Sequence, residues 1–287
     1  MKHWIALPYN NMEDRLVWLQ WLAERRLICN SNVCTNCQRA MCLVRRAEST
    51  DGFSWKCRDC NTGTSIRTGS FFANCGLSTE TIVMMFYYWV HDVKATHVML
   101  FEEIDNWDTM VNYNNFFRLE CRNWLLNQQL LLGGFDVNGQ PTYVEVDETY
   151  FFHRKYHKGR FWRGKWVVGI LERNSGRCWM EVVVRRNAAT LEQIITDHVL
   201  PGTIIVIDGW AGYDNIERIN NGVHHEVVVH AHNFVDPHHA EVNTQAIEGL
   251  WMQAKRKLRH QSGTSRALFT SYLDEFQWRY SHKTHTF

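Results

Sequence analysis

The stretch Thr203-Ile-Ile-Val-Ile-Asp-Gly209 decides the fold. All five residues from Thr203 to Ile207 are β-branched, and Pro201-Gly202 stands directly before them. An apolar run with no polar face, bounded by turn residues, reads as a central strand buried on both sides. Working outward, YVEVDETY (143–150), KWVVGILER (165–173), RCWMEVVVRR (177–186) and HHEVVVH (224–230) have strand character. ATLEQIITDHVL (189–200) has helical periodicity, and NTQAIEGLWMQAKRKLR (243–259) reads as a long helix. This order predicts an α/β fold, a mixed sheet with flanking helices, over residues 140–287.

Upstream the texture differs. Residues 1–28 form an N-terminal helical segment, with Leu16, Leu19, Leu22 and Leu27 marking an amphipathic helix over 13–28. Residues 29–76 are rich in Cys and turn formers. Helical patterns run through 77–132, with Ser78 ahead of Glu80 and Thr81 as a helix start. Gly133-Gly134, Asn138-Gly139 and Pro141 then punctuate the chain before the sheet.

The 287 residues suffice for two folded units, and 13 Trp against 4 Pro predict an ordered chain. The net charge of +1 excludes no class of partner, so the distribution of charge matters more. HRKYHKGRFWRGK (153–165) holds six Lys or Arg and no acid, and Lys255, Arg256, Lys257 and Arg259 close the long helix. Cations clustered among aromatics suit phosphate, although a solvated charged face has the same composition. The most apolar segment, TIVMMFYYWV (81–90), is shorter than the ~20 residues of a membrane-spanning helix. No signal-peptide core opens the chain. With an odd count of nine Cys, an intracellular location and metal or packing roles for the thiols are expected.

Cys34-x-x-Cys37 and Cys57-x-x-Cys60 are separated by nineteen residues. Two such knuckles supply the closed four-sulfur shell of structural Zn²⁺, which predicts a zinc ribbon over 29–76. Redox dithiols or packed free thiols are the competing reading. Cys29, Cys42, Cys75, Cys121 and Cys178 make no knuckle. Arg39, Arg45, Arg46, Lys56, Arg58 and Arg67 surround the ribbon and could meet DNA phosphates.

Three acids complete the pattern. Asp147 alternates with apolar residues in a strand, Asp208 ends the most buried strand, and Glu248 lies on the long helix. On that helix Ile247, Trp251, Ala254 and Leu258 form the packed stripe, while Glu248, Met252, Lys255 and Arg259 fall beside it. Acids converging at a sheet edge hold oxygen-seeking Mg²⁺ or Mn²⁺, and two such ions can drive in-line phosphoryl displacement. Each acid alone is more often a turn former, helix cap or surface charge, and it is the order and placement of the three that point to a metal site. The His-rich run 224–239 lacks helical metal-binding spacing, so His225 and His230 are placed as supporting residues near the acids. No Gly-x-Ser-x-Gly elbow and no P-loop occurs.

VEVDETYFFHRKYHKGR, WVVGILERNSGRCWMEVV, IVIDGWAGYDNI, NFVDP and NTQAIEGLWMQAKRKLR together resemble Merlin-type DDE transposases and their bacterial insertion-sequence relatives. The ribbon followed by SIRTGSFF is similar to the amino-terminal part of the same proteins, so the resemblance spans about 30 to 280. It implies an RNase H-like fold and an Asp147, Asp208, Glu248 catalytic triad. Lys255 would contact DNA near the scissile phosphate. Asn243 stands where relatives often have His, five residues before the Glu. The partners implied are terminal inverted repeats and target DNA, held by a homodimer or higher assembly, in the nucleus if the host is eukaryotic. Arg154, Lys155, Lys158, Arg160, Lys255, Arg256, Lys257 and Arg259 are the expected DNA-binding cations. The helical segment 77–132, helix-turn-helix-like, would help to read the ends. A domesticated DNA-binding protein, an RNase H-like nuclease and a zinc-ribbon scaffold are the alternatives.

Overall fold

The structure, a computed structural model, describes residues 12–152, 164–208, 224–228, 244–260 and 267–282, with only the backbone for Asp208, 224–228 and His260. The chain divides into two compact units, one through Tyr113 and one from Asn114.

In the first unit, helix α1 spans Met12–Glu24. It ends short of the expected 28 because Arg26 turns into the left-handed region (φ 58) and Leu27 N–H donates to Leu22 O at 2.9 Å. That reversal turns Ile28 into the core of Leu19, Leu22, Phe53, Trp55, Ile66, Phe72 and Ile82. Strands β1 (Cys42–Arg45), β2 (Phe53–Lys56) and β3 (Gly63–Ser65) form an antiparallel sheet in that order. Arg67 departs from its expected exposure. It is buried, grips Asp51 with two bonds of 2.6 Å, and donates to the carbonyls of Cys75 and Leu77 at 2.9 and 2.7 Å. With its donors taken internally it staples loops and offers nothing to phosphate. Ser78 caps α2 (Thr79–Val90) by accepting from Thr81 N–H, and α3 (Ala95–Phe101) follows.

Helix α4 (Trp107–Gln128) crosses the division between the units. The second unit then alternates β4 (Leu132–Gly133), β5 (Tyr143–Phe151), β6 (Lys165–Glu172), β7 (Cys178–Val183), α5 (Ala188–His198), β8 (Val199–Leu200), β9 (Ile204–Asp208) and β10 (His224–Val228). Helices α6 (Gln245–His260) and α7 (Phe269–Ser281) close it. Five strands make one mixed sheet in the order β10-β9-β5-β6-β7. The meander β5-β6-β7 is antiparallel, whereas β9 runs parallel to β5 and β10 parallel to β9. Val144, Val146, Val168, Ile170, Ile205 and Ile207 meet α5 on one face. On the other, Phe151, Val167, Leu171 and Met180 meet Ile247, Leu250, Trp251, Ala254 and Leu258 of α6 and Phe269, Leu273 and Phe276 of α7. The period-2 alternation of each strand thus fills two cores, giving three layers.

Gly133-Gly134, read in the sequence as punctuation, is packed inside this unit. Gly133 N–H donates to Glu172 Oε2 at 2.6 Å, and Gly134 N–H donates to Thr203 Oγ1 at 2.7 Å. Gly133 has φ +85, and a Cβ there would lie 2.1 Å from Thr203 Oγ1. Gly133→Ala is expected to destabilise the second unit by ~2–4 kcal/mol, from overpacking and positive-φ strain. That is a fall of roughly 5–10 °C in its calorimetric midpoint. A shift under about one degree would mean that Thr203 turns aside at no cost.

Helix α7 buries two acids. Glu275 meets Arg279, Lys257 and Arg118 at 2.8, 3.7 and 3.9 Å, while Asp274 lies 3.7 Å from Arg122. Burial pushes the Asp274 carboxyl up to about 6, against the pull of Arg122. The folded state therefore binds this proton more tightly than the unfolded chain does. Stability falls as pH rises from the unfolded value, 3.8, through about 6, and the penalty is complete above that. Asp274→Asn is expected to stabilise the second unit by ~1–3 kcal/mol at pH 8 and by nearly nothing at pH 4. Equal shifts at both pH values in a melting series would rule out the buried charge as the cause.

Candidate active site

Two constellations carry chemistry, one in each unit. In the first unit the two Cys knuckles have matching backbones. Cys34 N–H donates to Arg39 O at 2.9 Å and Cys57 N–H to Thr62 O at 2.8 Å, each bond spanning five residues. The residue after each second Cys, Gln38 and Asn61, is left-handed (φ 59 and 54), which folds each knuckle back on itself. The four sulfurs of Cys34, Cys37, Cys57 and Cys60 all lie within 4.8 Å of one another, with Cys37 and Cys57 at 3.5 Å. Bonds of ~2.3 Å in a tetrahedral site put sulfurs ~3.8 Å apart. Backbone N–H groups of Cys37 and Asn36 draw the Cys34 thiol down to about 7, while its hydrogen bond with Cys37 and burial push Cys60 up to about 12. Thiols this crowded need a divalent cation to ionise together. The donor set and spacing fit a zinc ribbon. Around it Arg45, Arg46, Lys56 and Arg58 are exposed, and Arg39 pairs with Asp59 at 2.7 Å.

The second constellation is built on β5. Glu145, Asp147 and Thr149 share one phase of that strand, and each meets α6 one helical turn further along. Buried Glu145 accepts Ile247 N–H at 2.8 Å, capping the helix start, and its other oxygen takes Arg173 Nε–H at 2.6 Å. Asp147 Oδ2 accepts the Trp251 indole N–H at 2.9 Å, and Oδ1 accepts Glu148 N–H at 2.7 Å. Lys255 Nζ donates to Thr149 Oγ1 at 2.5 Å and lies 5.4 Å from the centre of the Phe151 ring. Burial holds the Lys255 ammonium below its ordinary range, opposed by Asp147. The match is geometric. Two strand residues advance ~6.6 Å and four helix residues ~6 Å, so 145, 147 and 149 keep step with 247, 251 and 255.

This register places the third acid. Glu248 stands on α6 next to Ile247 and one turn before Trp251, and it is exposed. Asp208 is placed by backbone pairing. Glu145 pairs with Val206 across β5 and β9, and Asp147 and Asp208 each lie two residues beyond that pair. The two Asp positions thus sit at the same level on neighbouring strands, which run ~5 Å apart. Asp208 also pairs with Val228 of β10. The predicted packed stripe of α6 is buried at Ile247, Trp251, Ala254 and Leu258, while Met252 is 70% exposed.

Of the expected DNA-binding cations, Arg256 and Arg259 are exposed, Lys257 leans on Glu275 and Lys255 is half-buried against β5. Arg154, Lys155, Lys158, Arg160, His230 and Asn243 lie outside the described residues. His225 is described only as the backbone partner of Ile205. Sequence reasoning missed Glu145 and Gly169, and it saw in Trp251 only packing. The signal for Glu145 was its phase, since an acid two residues before Asp147 shares the same face.

Residues 136–281 match the family model of the ISXO2-like transposase domain. An "Uncharacterized transposase-like protein" of Haemophilus influenzae is 30% identical over 114 residues, covering 37% of this chain and 83% of the relative. Similar solved structures include the catalytic core domain of BIV integrase, with TM-score 0.33 and 14% identity over 47% of this chain and 80% of that one. Another is the HTLV-2 integrase catalytic core domain, in complex with magnesium and in dimeric form, with TM-score 0.34 and 11% identity over 52% and 86%. At these scores the likeness adds nothing to the strand order, which is itself RNase H-like: an antiparallel meander extended by two parallel strands. With the family model covering half the sequence, this chain belongs to the ISXO2-like transposase domain family, among the DDE transposases of insertion sequences.

Proposed function

We propose that this protein is a DNA transposase that cleaves DNA at transposon ends and joins the freed 3′ ends to target DNA. Asp147, Asp208 and Glu248 would hold Mg²⁺ or Mn²⁺. The observation that carries this is the shared level of Asp147 and Asp208 on β5 and β9; Glu248, one turn before the Trp251 that bonds Asp147, would complete the set. The fit to a hard cation rests on the Asp147 carboxylate, whose oxygens are oriented by neutral N–H groups. Such ions, when bound, supply an activated water or 3′-hydroxyl and neutralise the leaving oxygen.

The chain's own residues would do the rest. Arg256 and Arg259, with the run 154–165, would hold backbone phosphates in a salt-sensitive, sequence-independent way. Lys255, steadied by Thr149, would present its ammonium beside the acids. His225, His230 and Asn243 would support the site. The ribbon, with zinc on its four Cys, would contact the transposon end through Arg45, Arg46, Lys56 and Arg58. The pair α2–α3 suits phosphate less well: residues 77 to 106 hold one Lys or Arg, Lys94, against five acids, Glu80, Asp92, Glu102, Glu103 and Asp105. Joining two ends calls for a dimer or higher assembly on DNA.

The test is incubation of the full chain, zinc-loaded, with end-bearing DNA, a target plasmid and Mg²⁺. Cleaved ends covalently joined to the plasmid are expected. Cleavage without joining would make the protein a nuclease, and end binding without cleavage a DNA-binding derivative.

A further inference from the structure

Trp251 does something no packing residue needs to do. Its indole N–H reaches across from α6 to Asp147 Oδ2 at 2.9 Å. The strand beside β5 is shaped for it. Gly169 of β6 pairs with Asp147, and a Cβ at Gly169 would lie 2.5 Å from Trp251 Cη2 and 2.6 Å from Cζ2. Glycine inside a strand weakens the strand and is found where something must come close. Here it opens a slot for the indole, directly across from Asp147. The same ring packs edge-on against Phe151, with centroids 6.1 Å apart, which fixes its tilt within the slot.

We propose that Trp251 is a positioning residue for the metal-binding carboxylate of Asp147, held in a slot that Gly169 leaves open; this rests on the assignment of Asp147 to the metal site. An indole suits the task because it donates one directed hydrogen bond and carries no charge. A Lys or Arg in its place would fix the carboxylate equally well but compete with a cation for it. The geometry adds a coupling. Glu248 lies three residues before Trp251 on α6, so one helix carries both a candidate ligand and the group that orients another. Outer partners of this kind set ligand orientation, and their loss typically lowers metal affinity ~10–100-fold.

The experiment uses the full, zinc-loaded chain and reads Mn²⁺ binding by calorimetry, independently of DNA cleavage. Trp251→Phe keeps the ring and removes the donor. It is expected to raise the Mn²⁺ Kd ~10–100-fold, with a melting midpoint near wild type. Wild-type affinity in this variant overturns the proposal. A second measurement needs no stable variant. In a ¹H–¹⁵N spectrum of the wild-type chain, the Trp251 indole signal, identified by its absence from Trp251→Phe or by selective labelling, should shift on adding Mg²⁺. A signal indifferent to Mg²⁺ also overturns it. Asp147→Asn separates the two levels. If that variant binds Mn²⁺ as wild type does, the metal-site assignment itself is wrong. If it loses binding while Trp251→Phe does not, only the role of Trp251 fails.

Discussion

Asp147→Asn is expected to lower metal-dependent strand cleavage by about 10³-fold or more while leaving the fold in place. The substitution is close to isosteric, and the single amide oxygen can still accept one of the two N–H groups that the carboxylate accepts, from Trp251 or from Glu148, at the cost of one hydrogen bond. What it removes is the negative charge. Oxygen-seeking cations bind through charge as well as through lone pairs, so a neutral ligand on the central strand forfeits several kcal/mol of stabilisation where the phosphoryl charge develops. Asp208→Asn should behave alike, being at the same level of the neighbouring strand. Glu248→Gln should lose activity without loss of stability, since Glu248 is exposed on α6. Glu181→Gln, an exposed acid on β7, is the control and should cleave normally. Single-turnover cleavage of end-bearing DNA measures all four. If Asp147→Asn cleaves within a few-fold of wild type, Asp147 holds no catalytic metal.

How far this site was legible in the sequence depended on whether a residue's meaning is local. The strands were legible because β-branched runs and period-2 alternation are properties of short windows, and β5, β6, β7, β9 and β10 arise from the segments that carried them. The packed stripe of α6 was legible for the same reason. Register was not. That Glu145 caps α6, that Asp147 meets Trp251 and that Thr149 meets Lys255 depends on a strand and a helix about a hundred residues apart keeping step. Glycines were not legible either. Gly133-Gly134 has the composition of a linker, yet it is pinned by Glu172 and Thr203. Gly169 drew no reading in the sequence, and its absent side chain is what admits the indole. Arg67 shows the same limit for charge: composition counts a cation, and only the fold shows Asp51 beside it.

Withdrawing zinc should unfold the first unit and spare the second. The thiols are not an appendage to the ribbon. Cys34 and Cys57 are fully buried within the same core as Leu22, Trp55, Ile66 and Ile82, so metal and apolar packing are lost together. Structural zinc contributes ~10–16 kcal/mol in small sites, as much as the whole ~5–15 kcal/mol stability of a typical domain. Cys57→Ser should therefore abolish the ribbon's cooperative melting transition and release about one zinc per chain. The sheet unit, whose cores share no residue with that of the ribbon, should keep its own transition. Cys29→Ser is the matched control, because Cys29 is exposed and stands outside the four-sulfur cluster. Calorimetry with metal analysis reads both variants. Should Cys57→Ser melt like Cys29→Ser and retain its zinc, the four-cysteine site is wrong. A loss of zinc with both transitions intact would instead mean that the apolar core holds the ribbon alone.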